Sequence, residues 1–301
     1  MRHAIVKRRG GFTVVDLLFV VASLVVAFAT VGFVIGTTAR RNIRQAHDST
    51  QVRGIHQGLV LFAQSNADTY VLPSLIDTAN STLDGPAAFK DTTSHIISIL
   101  IFHDFLTPET CVSPAETNPA IRIDTKYEYN NPRKLTTSQG QPLWDPDFNA
   151  DFTAVNPARV AGFSYAHVLP TGLRGKQKWN NSFNSNDAII ANRGPKVTSA
   201  TFGKAPVVVP SFDKKSNTLR IHGGRSTWEG NVTYNDNSVV FETSMASHGK
   251  LRRYRDAGPT RQIGNWDDLL FFDEPEDTDH TNNYLVNVNK IGENGPELIW
   301  D

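Results

Sequence analysis

The chain has 301 residues, and its 30 Lys and Arg balance 30 Asp and Glu to a formal net charge of zero. Nothing in it offers the clustered basic surface that nucleic acid requires, so no nucleic-acid partner is expected. A single cysteine, Cys111, excludes an intramolecular disulfide and any cysteine-based metal cluster, and a small buried apolar residue accounts for it.

Residues 1–11 form a basic leader with Arg2, Lys7, Arg8 and Arg9. Gly11-Phe12-Thr13-Val14-Val15-Asp16 follows, and residues 17–39 carry no charge. As a helix that uncharged run would span about 34 Å, enough for the hydrocarbon core of a bilayer. Basic residues ahead of it hold that end in the cytoplasm and send the bulk of the chain outside. Residues 12–39 are therefore predicted to be a transmembrane helix. Asp16 stands near its start, where a carboxylate costs about 3 kcal/mol and calls for a partner.

The stretch Gly11-Phe12-Thr13-Val14-Val15-Asp16-Leu17-Leu18-Phe19-Val20-Val21-Ala22 resembles the processing site of type IV pilins and type II secretion pseudopilins. The resemblance implies that a prepilin peptidase cuts between Gly11 and Phe12 and methylates the new N-terminus at Phe12. It implies that the helix stays attached and packs inside a filament. Asp16 stands where that family carries Glu, one methylene longer. The role implied is charge pairing with the N-terminal amine of a neighbouring subunit in a low-dielectric bundle. Two other readings stay open. One is a secretory signal cut after Ala27-Phe28-Ala29, which would release a soluble protein beginning at Thr30. The other is an uncleaved signal anchor.

Gly32 and Gly36 match the G-x-x-x-G spacing that lets helices approach closely in lipid. Beyond Arg40, Arg41 and Arg44, apolar residues recur at Val52, Ile55, Leu59 and Phe62, one face of an amphipathic helix. Residues 40–66 are therefore read as a helical continuation. Gly54 and Gly58 cost it about 1 kcal/mol each, which packing on a globular head would offset. Residues 94–106 predict a second, shorter helix, and the proline-rich stretch 107–157 reads as loops. Strands are predicted at 161–168, 188–191, 207–209, 218–221, 231–235 and 238–242. Asp236 and Asn237 between the last two suit a two-residue hairpin turn. Helix first and antiparallel strands after predicts an α+β head over residues 67–301.

A second resemblance lies in that head. His222-Gly223-Gly224-Arg225, followed by Asn231 through Asp236-Asn237 to Phe241, is similar to the C-terminal signature of a large bacterial pilin-like family. Asp-Asn here replaces that family's Asp-Gly. Arg53-Gly54-Ile55-His56-Gln57-Gly58-Leu59, Phe163-Ser164-Tyr165 and Asp267-Asp268-Leu269-Leu270-Phe271 are similar to it as well. The two resemblances together imply an α+β, pilin-like fold. Its long N-terminal helix would have a transmembrane half and an amphipathic half, packed on an antiparallel sheet head.

Enzymatic chemistry finds little support. Gly162-Phe163-Ser164-Tyr165-Ala166 approximates a nucleophile elbow, yet Val168-Leu169-Pro170 blocks the helix that must follow it. The His222-Gly223-Gly224 segment falls too late in the chain for an oxyanion loop, so His222 is read as ordering a turn. The nine histidines form no short metal-ligand spacing. Seven carboxylates crowd residues 267–279, and Asp267, Asp268, Asp273, Glu274 and Asp277 are the candidate ligands of a calcium ion, a late-loop feature the pseudopilin resemblance also implies. A solvated acidic loop is the competing reading. No other cofactor is expected.

The sequence thus predicts a structural pilin or pseudopilin subunit, a substrate of prepilin peptidase rather than an enzyme. Its partners would be other subunits and the inner membrane, with a single pass, a cytoplasmic N-terminus and a periplasmic head. After assembly it would lie in a filament or at the cell surface. A membrane-tethered extracytoplasmic binding or sensing domain is the rival.

Overall fold

The computed structural model describes residues 13–133, 140–153, 160–202, 208–246, 268–274, 277 and 279–301, with side chains at 31–38, 201, 202, 208 and 209 left aside. It divides into two compact units, Met1–Arg44 and Gln45–Asp301. Helix α1 (Val14–Gln64) belongs to both by sequence.

The expected fold is corrected at its transmembrane half. Among the described residues, no helix is long and apolar enough to cross a membrane. The physical reason lies in the charges that α1 carries, beginning with Asp16 in its first turn. The 26 residues from Ala39 to 64 carry Arg40, Arg41, Arg44, Asp48 and Arg53. The supposed packing glycines Gly32 and Gly36 fall among the positions whose side chains are left aside.

In the second unit, α1 ends where Ala67 and Asp68 turn left-handed, with φ of 51° and 56°. The Asp68 amide then bonds the Ala63 carbonyl at 3.0 Å, satisfying one of the last free acceptors. Val52, Ile55, Leu59 and Phe62 are all buried in one large core. Gly58 lets that face approach the next layer closely: a Cβ there would lie 3.3 Å from Leu106 Cδ2. Helices α2 (Pro73–Ile76), α3 (Thr93–Phe102) and α4 (Gly172–Lys178) follow. The α3 helix occupies the stretch read as the second helix, capped by the Thr92 side chain.

Five strands form an antiparallel sheet in the order β6-β5-β2-β1-β7. They are β1 (Tyr165–Val168), β2 (Ala188–Asn192), β5 (Gly230–Tyr234), β6 (Val239–Glu242) and β7 (Leu285–Val286). Two separate hairpins pair β3 (Val197–Phe202) with β4 (Val208–Phe212), and β8 (Val288–Gly292) with β9 (Gly295–Leu298). The inner strands β1 and β2 are buried at every position, which is why they read as apolar runs without alternation. Trp144, Trp179 and Trp228 are the largest side chains buried in this core.

Two local expectations change. Residues 218–221 do not form a strand; Asn217–Arg220 is a 3-10 turn, which the Ser216 side chain caps at the Thr218 amide. The β5–β6 connection is a three-residue loop instead of a two-residue turn. Tyr234 still pairs with Ser238 through the bond from its amide to the Ser238 carbonyl, and Asn237 takes φ of 63° to close the loop.

Candidate functional site

Three regions carry the residues singled out by the sequence. The first is the start of α1. Gly11 and Phe12, the expected cleavage and methylation positions, lie outside the described residues. Asp16 is within them and has a local partner. Its Oδ2 accepts the Thr13 amide at 2.9 Å and the Thr13 hydroxyl at 2.7 Å, while the Asp16 amide donates to Thr13 Oγ1 at 3.2 Å. That reciprocal pair is a capping box, which satisfies two of the orphan donors at the helix start. The sequence reading missed this cap, although the Thr-x-x-Asp spacing of Thr13 and Asp16 is a signal for it. Behind the cap the helix presents apolar side chains to solvent, among them Val14 at 75%, Phe19 at 71% and Phe28 at 75% exposure.

The second region is the His222-Gly223-Gly224 turn. It is tied to α1 by a buried pair: His222 Nε2 donates to Asp48 Oδ2 at 2.8 Å. The same Asp48 oxygen accepts Asn231 Nδ2 of β5 at 2.8 Å, and Asp48 Oδ1 accepts the Tyr165 hydroxyl of β1 at 2.9 Å. One fully buried carboxylate thus joins helix, turn and two strands. The turn's two glycines differ. A Cβ on Gly223 would run into the Thr227 and Leu219 carbonyl oxygens, whereas nothing lies within 4 Å of one on Gly224. Gly223→Ala should therefore cost about 1–3 kcal/mol by overpacking. Gly224→Ala should stay within about 0.5 kcal/mol of the parent. Urea unfolding of the two variants side by side checks this.

The hairpin residue Asn237 also reaches back to α1. Its Oδ1 lies 3.1 Å from His56 Nδ1, and His56 Nε2 lies 3.0 Å from the Tyr70 hydroxyl, which donates to Asn235 Oδ1 at 2.8 Å. Asp236 binds locally, accepting the Ser238 amide at 3.0 Å. Both ends of the signature segment, His222 and Asn237, therefore meet the same face of α1.

The third region is the acidic stretch. Asp267 and Glu276 lie outside the described residues. Among the described residues, no group of three His, Cys, Asp or Glu side chains converges as a metal site. Their oxygens face protein donors. Arg174 of α4 bonds Asp273 at 2.8 Å and Asp277 at 3.2 Å. Asp277 also accepts the amides of Thr281 and Asn282, and Asp268 accepts the amide and side-chain nitrogen of Asn283. Glu274 accepts the Leu269 amide at 2.7 Å. Burial first, then the neighbouring Asp268 charge, push the Glu274 carboxyl well above its ordinary range.

Sequence reasoning missed Asp48 and Arg174, and read Asn231 only as part of the signature segment. No local signal marks these side-chain bonds, which join residues more than 90 positions apart. No family model, curated protein or solved structure matches the chain.

Proposed function

We propose that the protein is a structural subunit of a pilus or pseudopilus filament, cut by a prepilin peptidase between Gly11 and Phe12 and methylated at Phe12. The observation that carries this reading is the run of exposed apolar side chains over residues 14–28, which begins directly behind the Gly-Phe-Thr segment. Water-exposed apolar surface on this scale is stabilised by contact with an equivalent surface on other copies. The subunit is a substrate of processing, not a catalyst. Its other partners are further subunits of the same filament.

The capping box favours a second reading. Because Thr13 already engages Asp16, the carboxylate has a job within one chain, and a tethered binding or sensing domain that never polymerises would keep it. The two readings part at the N-terminus and at Asp16. Mass spectrometry of the native protein should find methylated Phe12 as the first residue; a start at Thr30 overturns processing at Gly11. Asp16→Ala should weaken the helix start under either reading, because the Thr13 amide and hydroxyl lose their acceptor. Only under filament assembly should it also abolish incorporation into sedimentable filaments.

A further inference from the structure

A lysine, a side-chain amide and two carboxyl groups meet in the interior between α4, β2 and the start of β7. Lys178, Asp187, Asp268 and Asn283 are all buried, none more than 3% exposed. Lys178 Nζ contacts Asp187 Oδ1 and lies 3.5 Å from Asn283 Oδ1. The Ala188 amide donates to that same Asn283 oxygen at 2.9 Å. On the other side of the amide, Asn283 Nδ2 donates to Asp268 Oδ2 at 3.0 Å and to the Asn186 carbonyl at 3.2 Å. Two donors face the oxygen and two acceptors face the nitrogen, so the bonding network fixes which way the amide points.

Each position matches a role in amide exchange. A buried amine stands beside a carbonyl, a carboxylate touches the amine, a backbone N–H points at the oxygen that would gain charge, and a carboxyl group holds the leaving nitrogen. We propose that Lys178 and Asn283 are joined by an intramolecular isopeptide bond, formed with loss of ammonia. Asp187 takes a proton from the Lys178 ammonium, and the freed lone pair attacks Asn283 Cγ. The carbonyl electron pair moves onto Oδ1, where the Ala188 amide stabilises it. The attacking nitrogen then gives one proton to the Asp268 carboxylate, which passes it to Nδ2; as the carbonyl re-forms, the Cγ–Nδ2 bond breaks and Nδ2 leaves as ammonia. The products are a secondary amide and ammonia, with the first proton left on Asp187, and no oxidant or reductant is involved.

Two further features suit the reaction. Asp268 has a carboxyl neighbour, Glu274, which burial and the Asp268 charge push well above its ordinary range. The site is closed to solvent, which removes water as a competing nucleophile and protects the amide once formed. The link would fasten the end of α4 to the entry of β7 across 105 positions of the chain. It is independent of the filament reading and would hold for any function of the head.

Peptide mapping by mass spectrometry of the native full-length chain tests it. The expected result is a branched peptide containing Lys178 and Asn283, lighter than its two parents together by one ammonia. Lys178→Arg and Asn283→Ala should each abolish it. Asp268→Asn, which preserves shape, should give a folded protein by circular dichroism that lacks the branch. Two separate unmodified peptides from folded parent protein overturn the proposal. So does a branch that joins Lys178 to Asp187 with loss of water. Persistence of the branch in Asp268→Asn overturns the assignment of Asp268 as the proton donor.

Discussion

Asp48→Ala is expected to destabilise the second unit by about 3–5 kcal/mol, because several buried donors lose one shared acceptor at about 1–3 kcal/mol each. The substitution removes the acceptor that His222 Nε2, the Tyr165 hydroxyl and Asn231 Nδ2 share, although Gln51 Oε1 stays 3.0 Å from that hydroxyl and the Gln45 carbonyl 3.3 Å from Asn231 Nδ2. Asp48→Asn keeps the shape and should cost less. Urea midpoints at neutral pH, with unchanged m-values, read both out. The pair also has a pH signature. Burial opposes ionisation of Asp48, but hydrogen bonding and charge from His222, with Ser113 and Asn231, outweigh it and hold the carboxyl below its usual value of 3.8. For a carboxyl lowered on folding, the stabilisation is complete above the unfolded value and disappears as pH falls through the folded one. Asp48 therefore contributes fully at pH 5 and is lost only in strong acid.

A second loss comes earlier on acidification. His167 in β1 is fully buried, with Nε2 2.8 Å from the Thr93 hydroxyl and Nδ1 2.8 Å from the Val168 carbonyl. Thr93 Oγ1 already accepts the Val288 amide, so its hydrogen is free to bond Nε2 of a neutral ring. Burial lowers the His167 pKa from 6.5 to about 4, partly countered by the Val168 carbonyl. Between those two values the unfolded chain binds a proton that the folded chain refuses, so stability rises with pH. The full contribution, about 3 kcal/mol, is present above pH 6.5 and lost by pH 4. Burial lowers His56 and His95 as well, which adds to the same trend. Unfolding free energies measured from pH 7 to pH 4 should fall steeply, and His167→Gln should flatten much of that slope. A parent whose stability is level across this range would refute the account.

The sequence was legible where local spacing decides structure. The Val52, Ile55, Leu59 and Phe62 face of α1 is buried as its period requires. The long-range polar interior was not legible. Asp48 sits in a helix among charged and polar neighbours and reads as solvated, yet it is fully buried because partners from β1, β5 and the His222 turn converge on it. The acidic residues near 270 read as a solvated or cation-binding run, and Arg174, about a hundred positions earlier, was invisible as their counter-charge. Residues 218–221 had strand-like composition, but the Ser216 hydroxyl at the Thr218 amide favours a tight turn. The apolar run near the N-terminus suggested a bilayer crossing by counting uncharged residues, whereas no helix among the described residues is long and apolar enough to cross a membrane.

Cys111 is fully buried, and burial together with the Glu109 charge pushes its thiol far above the ordinary range. It should stay unreactive toward maleimides while the head is folded. A cysteine introduced at Leu75 or Phe183, exposed at 64% and 68%, would then be the one position that takes a spin label or dye. Distances between such labels on different copies could be followed in solution without first removing the native thiol.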